Sequence, residues 1–214
     1  MGETSNIMVE SKQQVSYNMG FNLKVLNADN THYLVEFSGL PNNVEHLPFL
    51  NKIRREFYNL EFMAITRVEV HANGSVIPDE FLNRRLNLIP IDSKNISKLV
   101  SPSDCYCDDI CEQCSICYEL DVYAEHDDTE IMSGMIQSPS DFKPTSNIRI
   151  TTLRKDQHLK FKAYAQKGTA KQHTCFKHVD PFYTPTGEFH IEIIGTCDPT
   201  KTLQKVLDQV LNKI

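Results

Sequence analysis

The sequence DCYCDDICEQCS, at residues 104–115, concentrates four of the chain's seven cysteines into ten residues. They are Cys105, Cys107, Cys111 and Cys114. The surrounding segment, 101–114, is rich in Ser, Pro, Asp and Cys, which predicts a loop. Four thiolates in one loop can surround a single cation tetrahedrally. We therefore predict one structural Zn²⁺ bound by these four residues, and an iron–sulfur cluster is the alternative that four cysteines also permit.

The remaining cysteines lie outside this set. Cys117 occupies an odd position in a predicted strand, 116–122, whose apolar side chains are at even positions, so we expect a spare thiol facing away from them. Cys175 lies between His173 and His178, a pattern more typical of ordinary structural residues than of a second metal site. An odd number of cysteines, clustered and without a secretory signal, indicates an intracellular, reducing compartment.

The charge balance limits the classes of function. The 214 residues contain 22 Lys and Arg against 28 Asp and Glu, which gives a net charge of −6. Strong direct binding to nucleic acid is not expected, because binding to phosphates depends on clustered basic side chains. No apolar run approaches the roughly 20 residues of a membrane-spanning helix, so we expect no membrane insertion either.

The N-terminal part of the chain alternates between strand and helix patterns. Residues 1–17 are polar and aperiodic, which predicts a flexible arm. Alternating apolar residues on both sides of a cluster of turn formers predict a β-hairpin over 20–38. A helix is expected over 46–60, where apolar residues recur at spacings of three and four. A strand over 62–71 and a shorter helix over 78–88 follow, so the chain is expected to be of the α+β class.

The pattern of the C-terminal part of the chain, from residue 125 onwards, predicts strands followed by one amphipathic helix. Alternation indicates strands over 147–153, 158–166 and 189–193, whereas 125–146 has little periodicity. Asp198 then offers an N-cap for a helix that continues to the last residue. Its apolar stripe consists of Leu203, Val206, Leu207, Val210, Leu211 and Ile214. This stripe requires a covering surface, which could be the chain's own sheet or another subunit.

The sequence contains no recognisable catalytic motif. A glycine-rich phosphate loop, an H-E-x-x-H helix and a G-x-S-x-G elbow are all missing from its 214 residues. A four-thiolate zinc site without an open ligand position is structural. We therefore predict a non-catalytic protein. Two alternatives stay open: a stand-alone zinc-binding adaptor for protein interactions, and a zinc or iron–sulfur enzyme with an additional open metal position.

Several segments resemble the α-like assembly subunits of multisubunit DNA-directed RNA polymerases. This family includes the third-largest subunit of eukaryotic RNA polymerase II, the archaeal D subunit and the bacterial α N-terminal domain. NKIRR at 51–55 leading to MAI at 63–65 is similar to its first helix and following strand. NGSVIPDEF at 73–81 and RLNLIPI at 85–91 are similar to its N-x-S-V-L-x-D-E-F and R-L-G-L-I-P-L segments. The cysteine segment, and LKFKAYAQKG followed by TAKQH at 159–173, resemble the polymerase II subunit.

The resemblance implies a discontinuous architecture. Residues 18–60 and 184–214 would form a dimerisation domain of β-strands and two helices. Residues 61–183 would form an inserted β-rich domain that carries the four-cysteine zinc loop. The zinc ligands implied by the family pattern are the same four cysteines that the spacing indicates.

The resemblance also implies partners. The chain would form a heterodimer with a smaller α-like subunit and would dock the second-largest catalytic subunit, with further small polymerase subunits around it. Periodicity and resemblance together predict a partner interface at Leu50, Ile53, Phe57, Leu203, Leu207, Val210 and Leu211. The chain itself would act in transcription without catalytic residues of its own.

Two departures from the family pattern affect the interpretation. Asn87 stands where the family has Gly, which leaves the backbone turn at this position open. The chain is also short for a nuclear polymerase subunit, which is consistent with a compact version from a large DNA virus. A cellular eukaryotic subunit would work in the nucleus, and a viral one in the virion or the host cytoplasm.

Overall fold

The computed structural model describes residues 14–16, 22–28, 32–38, 46–139, 141–185, 188–194, 202, 205–206 and 208–210. Its strands are β1 (Gln14–Ser16), β2 (Asn22–Ala28), β3 (His32–Ser38), β4 (Glu61–Asn73), β5 (Ser115–Tyr123), β6 (Thr129–Met132), β7 (Arg149–Leu153), β8 (His158–Thr169), β9 (Val179–Tyr183) and β10 (Phe189–Ile194). Its helices are α1 (His46–Phe57) and α2 (Asp79–Asn87), and the described residues between 202 and 210 are also helical. The expected α+β class is confirmed. None of the helices in this part of the chain combines the length and apolar character that crossing a bilayer requires.

A five-stranded antiparallel sheet joins the two ends of the described chain. Its strand order is β1-β2-β3-β10-β9, and the expected hairpin forms β2 and β3. Strand β10 pairs with β3, and Val35 lies opposite Ile191 in the register. The sheet is therefore discontinuous in sequence, since residues from before α1 and after β8 share it. We call it the terminal sheet.

Helix α1 packs on one face of the terminal sheet through its predicted stripe. Leu50, Ile53 and Phe57 are buried together with residues of β3 and β10. Val206 and Val210, from the C-terminal helical residues, complete the same cluster. The apolar stripes of both helices are thus covered, at these positions, by the chain's own sheet.

A second sheet and its core occupy the middle of the chain. Strand β8 lies between β4 and β5, and all three strands are antiparallel. Alternate residues of β8 from Leu159 to Ala165 are buried, as the sequence pattern predicts. They pack against Leu82 and Leu86 of α2 and against the hairpin of β6 and β7. We call this unit the central sheet.

Hydrogen bonds in the turn between β4 and α2 explain why polar side chains occur at fixed positions of the N-x-S and D-E-F segments. The side-chain amide of Asn73 donates to the carbonyl oxygen of Ile77 (2.8 Å) and to Oδ1 of Asp79 (2.6 Å). Its Oδ1 accepts from the backbone N–H (3.0 Å) and the hydroxyl (2.7 Å) of Ser75. One asparagine therefore fixes the turn and the first residue of α2 at once.

Asn87 does not need the conformational freedom of the glycine that it replaces. It is the last residue of α2, and the helix ends at Leu88 with right-handed dihedrals (φ −94°, ψ 0°). The described non-glycine residues with a positive φ are Asp128, Asn147 and Asp156. Turned to donate, the Asn87 amide nitrogen reaches the carbonyl oxygen of Ile65 at 3.2 Å. The substitution therefore ties the end of α2 to β4.

Three strands differ from the expectations. Residues 14–16 of the predicted arm pair with β2, and β6 lies within the segment without periodicity. Both strands are too short for an alternating pattern to stand out. Strand β9 contains Pro181, which is tolerated because β9 is at the sheet edge. Since β9 pairs with β10, the predicted boundary at 183 falls between two paired strands, and the division into domains stays a prediction.

Gly168 in β8 lies where a side chain has no space. A Cβ atom there would meet Cζ of Phe176 at 2.5 Å and Oε1 of Gln172 at 2.9 Å. We expect Gly168→Ala to lower the free energy of unfolding by about 1–3 kcal/mol, because the Phe176 ring must move. Urea unfolding of the two proteins measures this difference. Gly134→Ala is the matched control, since its nearest neighbour would be Ser146 Cβ at 3.5 Å, and equal destabilisation by both would contradict the packing argument.

Candidate metal centre

The four clustered cysteines lie in a segment closed at its base, here called the Cys loop (residues 101–114). The backbone N–H of Val100 donates to the carbonyl oxygen of Gln113 at 2.8 Å, which brings the two ends together. A single 3₁₀ turn, Pro102–Asp104, precedes Cys105, and Cys114 directly precedes β5. The loop is therefore anchored on the first residue of a strand of the central sheet.

Hydrogen bonds set the turn that brings the last two cysteines together. The carbonyl oxygen of Cys111 accepts from the backbone N–H of Cys114 (3.2 Å) and of Ser115 (3.0 Å). The Ser115 hydroxyl donates to the same oxygen at 2.9 Å. This tight turn is what the C-x-x-C spacing requires if both sulfurs are to face one point.

The four sulfur atoms converge at the spacing of a single tetrahedral ion. All four Sγ atoms lie within 4.8 Å of one another. The Sγ–Sγ distance is 3.5 Å between Cys105 and Cys111, and 3.7 Å from Cys114 to both Cys107 and Cys111. Ligands at about 2.3 Å from a zinc ion at the centre of a tetrahedron would be about 3.8 Å apart. The predicted ligand set is thus brought together with a geometry that fits one cation.

The surroundings of the sulfurs affect their protonation differently. The thiol–thiol hydrogen bond with Cys105, together with desolvation, raises the pKa of Cys107 to about 12. The backbone N–H of Gln113 is the main cause that lowers the pKa of Cys111 to about 7. The loop therefore favours a thiolate at Cys111, and the charge of a cation bound among the sulfurs would favour the thiolate form of all four.

An arginine on β4 supports the Cys loop from outside. Arg67 Nη1 lies 2.5 Å from Oδ2 of Asp109, and its Nη2 lies 2.9 Å from Oε1 of Glu69. The backbone oxygen of Asp109 in turn accepts a hydrogen bond from the Cys107 thiol at 3.7 Å. Sequence reasoning missed this contact because 42 positions separate Arg67 from Asp109 and no local pattern relates them.

The other described cysteines, Cys117 and Cys175, and the histidines near Cys175 lie outside the cluster. Cys117 is exposed on the face of β5 opposite to the core, as its position predicts. His173 Nδ1 accepts from the backbone N–H of Cys175 at 3.2 Å, and the buried His178 ring contacts Phe62 with centroids 4.9 Å apart. Burial lowers the pKa of His178 to about 4, so it is neutral near pH 7. Within the described ranges, only the four cysteines of the Cys loop form a set of three or more converging ligands.

The predicted interface residues lie in the core of the terminal sheet or outside the described residues. Leu50, Ile53, Phe57 and Val210 are buried within the chain itself. Leu203, Leu207 and Leu211 lie outside the residues that the structure describes. Their contribution to a partner interface stays a prediction.

The apolar side chains of α2 and of Leu88, the residue after it, are divided between the core and the surface. Leu82 and Leu86 are buried, but Phe81 is 56% and Leu88 is 65% exposed. The guanidinium of Arg84 lies 5.9 Å from the centroid of the Phe81 ring. Leu82 and Leu86 are thus core residues, whereas Phe81 and Leu88 lie at the surface.

Comparison with known families agrees with this geometry. The profile of the family described as the RNA polymerase Rpb3/RpoA insert domain matches residues 68–183, just over half of the chain. The chain belongs to this family. The matched region contains α2, the Cys loop and strands β5 to β9, so the suspected kinship with α-like polymerase subunits is confirmed.

Curated relatives carry names from the same group of proteins. The chain is 38% identical over 123 residues to the RNA polymerase II subunit rpb3 of Dictyostelium discoideum, which covers 52% of this chain and 41% of that protein. It is 34% identical over 173 residues to subunit 3B of RNA polymerases IV and V of Arabidopsis thaliana, covering 72% and 53%. It is 37% identical over 153 residues to polymerase subunit Rpo3 of Pyrobaculum aerophilum, covering 65% and 55%. The chain thus spans about half the length of these relatives.

Removing two of the clustered sulfurs tests the role of the loop. We expect Cys107→Ser combined with Cys111→Ser to abolish metal binding and to open 100–125 to limited proteolysis, because the loop then loses its cross-link. The terminal sheet should stay protected. Mass spectrometry of the protease fragments measures this, and Cys117→Ser is the control. Unchanged resistance over 100–125 in the double variant would show that the loop does not depend on a metal.

The contact between Arg67 and the Cys loop should slow the release of metal. We expect Arg67→Ala to release zinc to a chromogenic chelator about threefold faster. This is less than the roughly tenfold or greater effects of buried outer-shell partners, because the ion pair is exposed. Arg149→Ala, which removes the exposed ion pair with Glu130 on another hairpin, is the matched control. Equal release rates in both variants would exclude a positioning role for Arg67.

Proposed function

We propose that this protein is a non-catalytic assembly subunit of a DNA-dependent RNA polymerase. The observation that carries the proposal is the family match over 68–183, with the four converging sulfurs inside it. The names of relatives from eukaryotes and archaea support the same role in transcription. The catalytic centre would belong to a large subunit, and this chain would contribute binding surfaces.

The cation of the Cys loop is Zn²⁺ in this proposal. Four thiolates suit zinc, which prefers closed tetrahedral sites when its role is structural. The iron–sulfur alternative is less compatible with the distances between the sulfur atoms. The thiolates of a cluster bind different iron atoms, so their sulfur atoms lie farther apart than around a single ion. Zinc would supply a cross-link that fixes Cys105 and Cys114 at opposite ends of the loop. A colourless protein with one zinc per chain is expected.

The proposed dimerisation unit, residues 18–60 and 184–214, contains α1, the C-terminal helical residues and strands β2, β3 and β10 of the terminal sheet. Strand pairing of β3 with β10 supports a unit built from both ends of the sequence. Its partner would be a smaller α-like subunit. The proposed insert, 61–183, would project from this unit and carry the Cys loop.

The second-largest subunit would dock on the exposed side of α2 and of Leu88, the residue that follows it. Phe81 and Leu88 expose large apolar side chains there. A hollow of about 180 Å³ lies beside Leu88, between α2 and β7, and is lined also by Ile148 and Arg149. Grouped apolar side chains next to a concave site are typical of protein interfaces. The further small polymerase subunits would complete the assembly around this chain.

The proposed metal site and complex also indicate the compartment in which this protein would work. The thiols of the Cys loop require a reducing interior if they are to bind a metal. A cellular eukaryotic source would place the complex in the nucleus, and a viral source would place it in the virion or the host cytoplasm. Strong direct binding of nucleic acid by the isolated chain is not expected at a net charge of −6.

Affinity purification of the tagged chain from its native source, at high salt, tests the proposal. Two very large polypeptides and a small α-like chain in constant stoichiometry are expected. The chain alone, or with an unrelated partner, would contradict the proposal and favour a stand-alone zinc-binding adaptor. A brown protein containing iron and sulfide would instead favour the hypothesis of an iron–sulfur enzyme.

A substitution on α2 tests the docking surface within the same purification. We expect Leu88→Asp to lower the recovery of the large subunits strongly, because a charge enters an apolar contact. Recovery of the small α-like chain should be unchanged, and quantitative mass spectrometry measures both. Tyr123→Asp is the control, since Tyr123 is similarly exposed at the end of β5. Equal losses with both variants would contradict the assignment of α2.

A further inference from the structure

The tip of the Cys loop exposes an aromatic side chain completely. Tyr106 has 104% of the reference exposure of its residue type, although it lies between two of the converging cysteines. Beside it lies a hollow of about 740 Å³, with Val100, Cys105, Glu112 and Gln113 among its lining residues. Val100 is itself partly exposed there. An exposed aromatic ring at the rim of a concave hollow is a typical anchor for a binding partner.

The charged side chains that line this hollow, Asp104 and Glu112, are both acidic. Residues 101–114 contain four acidic side chains, Asp104, Asp108, Asp109 and Glu112, and no Lys or Arg. Arg67 pairs with Asp109, whereas no ion pair with a described basic residue is found for the other three. Four thiolates around one divalent cation add further negative charge. The hollow therefore lies in a negative potential that favours cationic ligands and repels phosphates.

The loop is also fixed before any partner binds. The backbone N–H of Val100 holds Gln113, and that of Asp104 donates to the carbonyl oxygen of Ser101 at 2.9 Å. Arg67 holds the opposite side of the loop at Asp109. A preorganised surface loses little conformational entropy on binding, so a small area can be effective.

We propose that the Cys loop is a docking surface for an arginine- or lysine-containing segment of a protein partner. An apolar residue of that segment enters the hollow beside Val100, and a neighbouring guanidinium or ammonium group stacks on the Tyr106 ring. Asp104 and Glu112 provide the complementary charge. The inference rests on the metal-bound loop proposed above, but it does not depend on assembly into a polymerase, so the two can fail separately.

Binding of a labelled peptide to the zinc-loaded full chain tests this surface. The probe is a fluorescein-labelled peptide of alternating Arg and Leu, followed by anisotropy, and a peptide of alternating Glu and Leu is the comparison. We expect saturable binding of the basic peptide only. Tyr106→Ala should weaken it about fivefold or more, as for an anchoring aromatic residue. Asp104→Asn with Glu112→Gln should weaken it and reduce its dependence on salt.

Matched variants separate a specific surface from general charge attraction. Tyr123→Ala removes an exposed tyrosine elsewhere, and Glu80→Gln with Glu125→Gln removes two exposed charges outside the loop. These controls should bind the peptide like the unaltered chain. Zinc content and melting temperature, measured for every variant, should also stay unchanged because all the altered side chains are exposed.

Three results would overturn the proposal. One is an equal loss of binding in the loop variants and in the controls. Another is binding of a labelled single-stranded oligonucleotide at the same site, shown by competition with the peptide. The third is self-association of the chain that Tyr106→Ala abolishes in size-exclusion chromatography, which would assign the hollow to a second copy.

Discussion

Burial of both faces of β4 at its start is the constraint on which the rest of the structure depends. Phe62 points into the core of the terminal sheet, whereas Met63 and Ile65 point into the core of the central sheet. Ala64 contacts a third, small cluster with Cys175 and Phe176. Because side chains alternate along a strand, these four consecutive residues connect the cores, and neither sheet can shift without disturbing the other.

The Cys loop extends this framework towards the surface. It joins β5 at Ser115 and is held to β4 through Arg67, so two strands of the central sheet position it. The loop buries few large apolar side chains of its own. Metal–thiolate bonds would therefore supply the stability that an apolar core supplies elsewhere. Such bonds contribute on the order of 10 kcal/mol in small metal modules. A loop held in this way suits the proposed role of presenting surfaces to other subunits.

The sequence predicted the features that depend on local patterns. The stripe of α1, the alternation of β8 and the four-cysteine set each follow from spacing within one segment, and the structure agrees with them. It did not predict β9, where Pro181 weakens the strand signal and pairing with β10 decides the outcome. The exposure of Leu88 and the contact of Arg67 with the loop depend on tertiary packing, which no single segment encodes.

In the proposed assembly, one chain combines a metal-bound insert with a unit that pairs with a smaller α-like subunit. Native mass spectrometry of the complex isolated from its source tests both parts in one spectrum. We expect a complex that contains one copy of this chain and one copy of the smaller α-like subunit, and this chain should retain a single zinc ion when it is released in the gas phase. A homodimer, or a chain without metal in an otherwise intact complex, would contradict it.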